Sequence, residues 1–506
     1  MALKNNTWKV NQWYDQAVAG NVSYSTNTFQ LWGWGKDTSG QLGQNSVVAT
    51  GRSSPVQVGT ESTWKAIGLG ANDQYMTMAT KTDGSLWTWG YNVNGALGHN
   101  TGHGTGHLSS PTQIPGTWSD ALFSGTGVSM ATKTDGTLWL WGDGFGDGLT
   151  AQNNRTRYSS PVQVYGGGST WGKTIGTLAG YSSIKTDGTL WTWGNNGYGK
   201  LGQNSAGDSR SSPVQIPGST WSSVKEYSYA TAAVKTDGTL WTWGYNIYGK
   251  LGLNNKTNYS SPKQVGTDTT WGSSDSDLTT EGASFRTLAG GRYYKMFLKT
   301  NGTLWASGRN SSDMNLGLND QVHRSSPTQV GTDTTWKTIA GRKSTMAALK
   351  TDGTIWAWGR NGYGQAGQNN EVWYSSPAQI GTETTWAAVD SNDGRMGGIK
   401  TDGTLWTWGN NSRGSLGHNE PASNNKSSPK QVGTNTNWST ISVGNAIFAT
   451  KTDGTAWAWG DNDSGKLANN QEGSAPNSRS SPTQIPGTKW HRIYMSSGSV
   501  FGLQTV

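Results

Sequence analysis

The chain is expected to be all-β, a closed β-propeller of four-stranded blades, and three observations predict it. A unit of roughly fifty residues recurs nine times in register along the 506 residues. Glycine (73 copies) and tryptophan (29 copies) are in large excess, while charged residues make up only 14%, against ~25% in an average soluble protein. No long segment shows the apolar period of an amphipathic helix. One such unit cannot bury its apolar faces alone, whereas a ring of units can.

Each part of the unit has a local reason. The clearest copy reads KTDGTLWTWG at 235–244, and its lysine recurs at 81, 133, 185, 299, 350, 400 and 451. A ninth copy, at 31–35, lacks the Lys-Thr-Asp-Gly lead. The first Trp of each copy falls at 32, 87, 139, 191, 241, 305, 356, 406 and 457. Asp-Gly between apolar runs predicts a type I′ hairpin with both central residues at positive φ, so that 75–79 pairs antiparallel with 86–89 across Asp83-Gly84. Period two places both indoles of Trp-x-Trp on one face of the strand. A G-x-L-G-x-N turn or a relative follows, then a loop that differs in every copy, then Ser-Ser-Pro-x-Gln. Proline suits a strand start or an edge strand, where no ladder donor is lost. Another Trp, at 64, 118, 171, 221, 271, 336, 386, 438 and 490, opens a further strand, so each unit supplies four.

The ends predict closure. Trp490-His-Arg-Ile and Val500-Phe-Gly-Leu503 align with Trp336-Lys-Thr-Ile and Met346-Ala-Ala-Leu349, and the chain stops where the Asp-Gly turn would come. The C-terminal strands are expected to complete the blade begun by 31–35. Thr7-Trp8-Lys9-Val10 is the rival for that slot, without the turn. Counting gives nine blades; the alternative is seven blades plus extra units. Residues 24–506 form the propeller, and 1–23 form an N-terminal aromatic anchor or edge segment with Trp8, Trp13 and Tyr14 as its burying residues.

GTLWTWGYNIYGKLG at 238–252, with the later TLAGGRYYKMFLKT, resembles the repeat of the regulator of chromosome condensation family. The resemblance covers nearly the whole chain after the first two dozen residues. It implies a β-propeller serving as a protein-interaction platform. Proteins of that kind include a nucleotide-exchange factor for a nuclear GTPase, ubiquitin ligase modules and a β-lactamase-inhibiting propeller. Seven blades are the family habit, and the exchange factor's inserted wedge has no match in this chain.

The repeat absorbs every tryptophan except Trp8, Trp13 and Trp373, so the indoles read as packing between blades rather than as platforms for sugars or bases. Trp373, beside Tyr374, is the candidate exposed aromatic. The loops before Ser-Ser-Pro vary in length and content, which marks the binding face of a repeat protein. The residue just before Ser-Ser-Pro is Arg, Lys or Tyr in eight of nine units, types enriched in interfaces. Trp373, Tyr374, Tyr158, Arg155, Arg324 and Tyr259 are the binding candidates. The unit lysines and turn aspartates read as a solvated, self-neutralised ring. His99, His103 and His107, spaced by four among glycines, are weak metal candidates. Asp275, Asp277 and Glu281 fall in one long insertion but are too sparse for a calcium loop. No metal or other cofactor is expected.

No nucleophile–base constellation emerges, and cysteine is absent, which leaves the redox compartment open. The net charge of +8 is dispersed, so no specific nucleic-acid partner is expected. No apolar run is long enough for membrane insertion, and the N-terminus does not read as a secretory signal. The function expected is a non-enzymatic scaffold in a bacteriophage particle, made in the host cytoplasm and acting as a tail-associated or host-recognition protein. Its partners would be other virion proteins or a host surface molecule, with an oligomer within a larger assembly among the expected arrangements. The rivals are a bacterial propeller, cytoplasmic or extracellular, that binds or inhibits a protein partner, and a channel-centred lyase or hydrolase.

Overall fold

The computed structural model describes residues 28–506 apart from 70–75, 103–105, 125–126, 144–145, 178–179, 228, 273–287, 291–292, 343, 393, 472–476 and 497. Trp8, Trp13, Tyr14, His103, Asp275, Asp277 and Glu281 lie outside the described residues.

Blade 5 shows the plan. Its strands are Trp221–Tyr227, Ala230–Lys235, Leu240–Gly244 and Tyr259–Gln264, hydrogen-bonded in that order and all antiparallel. The same plan holds in blade 2 (64–114), blade 3 (118–163), blade 4 (171–216), blade 6 (271–329), blade 7 (336–379), blade 8 (386–431) and blade 9 (438–484). Blade 1 takes its strands from both chain ends. Trp490–Ser496 and Ser499–Thr505 pair with each other, Ser499–Thr505 pairs with Phe29–Asp37, and Phe29–Asp37 pairs with Val48–Gln57. Leu31 stands opposite Leu503. First strands of neighbouring blades pack on one another, as in blades 2 and 3 and blades 7 and 8, while outermost strands meet the turn of the preceding blade, so the first strand is innermost.

The expected hairpin forms, with Ala79 opposite Trp87, but its turn is of another class. Lys235 and Thr239 close a three-residue loop: the Gly238 N–H donates to Lys235 O at 2.9 Å, and the Lys235 N–H donates to Thr239 O at 3.0 Å. Only Gly238 has positive φ, +77°. This is a turn ending in a left-handed glycine rather than a type I′ turn. Aspartate decides the matter, because its carboxylate reaches two residues forward and takes hydrogen bonds from the Thr239 N–H (2.9 Å) and hydroxyl (2.7 Å). The Thr239 hydroxyl in turn accepts from Trp241 Nε1 at 2.9 Å. Trp139, Trp191, Trp305, Trp356, Trp406 and Trp457 repeat this relay, with Asn301 standing in for aspartate in blade 6 and Ser85 for threonine in blade 2.

The core lies between blades rather than inside them. Leu190 and Ile216 of blade 4 are buried with Trp221, Val224, Ala233 and Trp243 of blade 5. The second Trp of each Trp-x-Trp is fully buried and pins the seam, as when Trp243 Nε1 donates to Lys200 O of blade 4 at 2.8 Å. Trp34 of blade 1 donates in the same way to Lys466 O of blade 9, at 2.9 Å. Blade 6 lacks that Trp and uses Ser307 instead, bonded to Lys250 O at 3.1 Å.

The unit lysines are not a solvated ring. Lys350 is 5% exposed and sits 4.7 Å from the Trp336 ring and 3.8 Å from the Trp356 ring, with Asp333 at 3.0 Å. All eight lysines lie over two indoles of their own blade. The lysine ends its strand on the face that carries both rings, so its stem packs on them and its charge meets their π-faces. Where a lysine forms a direct ion pair, its acid comes from the loop before the strand-opening Trp, as with Glu61, Asp268, Asp333 and Glu383. No helix among the described residues is long and apolar enough to cross a membrane.

Candidate functional interface

In seven blades the described turn between the first and second strands meets the residue that follows Trp-Gly, or Ser-Gly in blade 6. The backbone N–H of Tyr245 donates to Tyr229 O (2.8 Å), that of Arg309 to Tyr293 O (2.9 Å) and that of Arg360 to Ser344 O (2.9 Å). These junctions line one face of the molecule. The residue after Trp-Gly (Ser-Gly in blade 6) is the variable one in an otherwise repeated strand: Lys36, Tyr91, Asp143, Asn195, Tyr245, Arg309, Arg360, Asn410 and Asp461.

Across blades 4 to 7 this face is aromatic and cationic. Tyr198 of blade 4 packs on Tyr245 and Tyr229 of blade 5, with ring centroids 4.4 and 5.4 Å apart. Tyr248 of blade 5 reaches Tyr293 and His323 of blade 6 at 5.3 and 5.1 Å. The Arg309 guanidinium lies 5.7 Å from both the Tyr248 and Tyr293 rings. Asn310 N–H donates to His323 Nδ1 at 3.1 Å, which leaves that ring neutral with its other nitrogen as donor. Burial first, then the nearby Lys256 and Arg309 charges, holds the His323 pKa below the usual value. Neither Lys256 nor Arg309 has an acidic partner among the described residues. Tyr198 is 47% exposed, Ile247 45% and Tyr363 39%. Beneath the face, Lys295 is fully buried, and burial together with Lys250 pushes its pKa far down.

The sequence candidates separate on this frame. Trp373 joins the face, with the Arg360 guanidinium 5.6 Å from its ring. Tyr158, Tyr259 and Tyr374 brace their own loops: each hydroxyl accepts from an Asn amide, that of Asn154, Asn255 or Asn370, at 2.9 Å. Arg324 is paired with Asp320 inside its loop. Arg155 is exposed. His99 and His107 have separate duties. His99 Nε2 meets the Thr88 hydroxyl at 2.8 Å, while His107 stacks on Tyr91 and accepts from the Asn92 N–H.

A family model for the RCC1-like domain matches residues 183–503, and one for the regulator of chromosome condensation (RCC1) repeat matches residues 83–128. The chain belongs to the RCC1-like domain family. It is 27% identical over 194 residues to the Homo sapiens E3 ubiquitin-protein ligase HERC2, covering 35% of this chain and 4% of that protein. Against the Arabidopsis thaliana mitochondrial RCC1 domain-containing protein RUG3 it is 29% identical over 204 residues, covering 37% of this chain and 42% of that one. The chain thus spans less than half the length of these curated relatives. Among solved structures, Prp20p from Saccharomyces cerevisiae, described with its binding to Gsp1p and histones, is similar at 18% identity. That match covers 74% of this chain and 92% of that one, with a TM-score of 0.45. Human WBSCR16 is similar at 14% identity over 94% and 99% of the two chains, with a TM-score of 0.46.

In this RCC1-like chain the sequence reading placed binding residues before Ser-Ser-Pro and missed the tyrosines and arginines beside Trp-Gly. The available signal was variation at a single register position within nine copies of a fixed motif.

Proposed function

We propose that this RCC1-like propeller is a non-enzymatic protein-interaction scaffold that docks its partner on the loop face of blades 4 to 7. The observation that carries the reading is the linked cluster of Tyr248, Tyr293, His323 and Arg309, continued by Tyr198, Tyr229 and Tyr245 on one side and by Arg360 with Trp373 on the other. Rigid aromatics and arginine give large contact area at low entropic cost and dominate interface energetics. The uncompensated Arg309 and Lys256 favour a partner surface that bears carboxylates.

The test is affinity capture with the full chain against Arg309→Ala and Tyr248→Ala. Each variant should lose the captured partner by about 2 kcal/mol or more, the range for interface hot spots, with an unchanged melting temperature. Arg155→Ala should retain it. Equal capture by all three would refute the docking face. The setting expected from the sequence, a virus particle entered through segment 1–23, is a narrower proposal. It rests on the Trp8, Trp13 and Tyr14 segment ahead of the ring. A chain lacking 1–23 should fold and be missing from purified particles by mass spectrometry.

A further inference from the structure

We infer that the seams between the outermost strands are carbohydrate subsites, repeated around the ring and separate from the protein-docking face. Two grooves occur at equivalent seams, one between blades 2 and 3 of about 430 Å³ and one between blades 6 and 7 of about 380 Å³. They share equivalent lining residues: Gln113, Trp139 and Ser160 in one, and Gln329, Trp356 and Ser376 in the other.

The fold does not explain all of this repetition. In every unit the first Trp stands directly across the strand pair from the Gln of Ser-Ser-Pro-x-Gln, from Trp32 opposite Gln57 to Trp457 opposite Gln484. The motif's first Ser has a structural task, since its carbonyl takes the N–H of a left-handed Asn from the preceding blade, as Ser159 does from Asn100 at 2.7 Å. Its Pro occupies an edge strand. Its Gln amide is used nowhere: among the described residues none of the nine makes an intramolecular hydrogen bond, nor does the Ser160 or Ser376 hydroxyl. An amide kept in all nine units without a partner in the fold points to a ligand outside it.

The chemistry of the groove selects that ligand. Trp139 and Trp356 are only half-buried, which leaves part of an indole open for the C–H face of a pyranose ring. Each Gln amide offers a donor and an acceptor side by side, matched to vicinal hydroxyls, and the serine adds a third polar contact. Charge does not favour an anion. Lys133 is spent over Trp118 and Trp139, Asp333 is paired with Lys350, and Arg324 is paired with Asp320. The volume suits a mono- or disaccharide unit. Single subsites of this shallow kind are weak, and repetition supplies avidity on a polymeric or surface-bound glycan.

The test uses the full chain on an array of immobilised oligosaccharides, both neutral and sulfated, and compares it with a variant carrying Gln→Ala at all nine Trp-paired positions. These glutamines are surface groups without internal partners, so the variant should keep its melting temperature. The inference predicts binding to neutral glycans that resists salt, and at least a tenfold loss of apparent affinity in the variant. A variant with Gln113→Ala and Gln329→Ala alone should show an intermediate loss. Binding confined to sulfated glycans, undiminished binding by the nine-site variant, or no neutral glycan bound would overturn it. The docking-face variants Arg309→Ala and Tyr248→Ala should bind glycans normally, so the two readings fail independently.

Discussion

At the residue scale, the turn aspartates and the buried His418 both lose stability as pH falls, in separate windows. Hydrogen bonds from the Thr239 hydroxyl and N–H hold the Asp237 carboxyl below its usual range, and the corresponding groups lower Asp83, Asp135, Asp187, Asp352, Asp402 and Asp453. A carboxyl lowered by folding adds stability that is complete above its unfolded value near ~3.9 and is lost as pH falls through the lower folded value. His418 follows the same sign higher up the scale. Burial drops its pKa to about 4, so the unfolded chain takes up a proton first, and stability declines between about 6.5 and 4. Thermal melts against pH should therefore show a shallow loss from about pH 6.5 and a steeper one below about pH 4. His418→Gln, which installs the residue the repeat uses at Gln44, Gln203 and Gln368, should reduce the shallow limb, to which the lowered His99, His323 and His491 also contribute, and leave the steep one. The aspartates were legible in sequence as turn formers. Their service to an indole N–H was not, because that bond depends on the turn class.

At the element scale, the hairpin was legible and its turn was not. Alternating apolar residues around Asp-Gly specify two antiparallel strands whatever closes them. The choice between a two- and a three-residue loop rests on the forward reach of the aspartate, or Asn301 in blade 6, to the residue two ahead, a local preference repeated in blades 2 to 9. Gly238 then carries two demands, a φ of +77° and a close approach in which an added Cβ would lie 2.0 Å from Thr269 O. Gly266, with φ +61° and open space around it, carries only the first. Gly238→Ala should cost about 2–3 kcal/mol or more and Gly266→Ala about 1 kcal/mol. Hydrogen exchange of the 230–244 hairpin reads the difference directly, and equal protection in the two variants would show that the close approach is not a constraint. The lysines mark the reverse case: alternation placed them on the indole face, yet their burial was visible only once both rings and the acid-bearing loop were assembled.

At the scale of the whole molecule, the two chain ends meet in one blade. Leu31 faces Leu503, and Trp34 and Val500 are buried with Ala458 and Leu467 of blade 9. Blade 1 is also the one without a caging lysine: Gln504 stands opposite Trp490 where Lys350 stands opposite Trp336. Deleting 499–506 should strip Phe29–Asp37 of its inner partner and loosen the seams on both sides. The expected reading is a melting temperature lower by roughly 5 °C or more and rapid exchange confined first to blades 1, 2 and 9. Deleting 1–27 should do neither. A projection of the intact chain along its axis should show nine blades, the number of four-stranded units among the described residues.

The sequence by itself determined the repeat, its strands, the pairing of the termini and the structural employment of nearly every tryptophan. Those features follow from period, turn residues and burial, which act over a few neighbouring positions and recur nine times. Only the tertiary structure decided which variable residues form a surface. Tyr198, Tyr245, Tyr248, Tyr293 and Arg309 lie up to 111 positions apart and meet because neighbouring blades bring the same register position side by side. The lysine cages and the unused glutamines were decided there too, since a lysine meets its two indoles, and a glutamine its opposite Trp, only once the strands of a blade are paired.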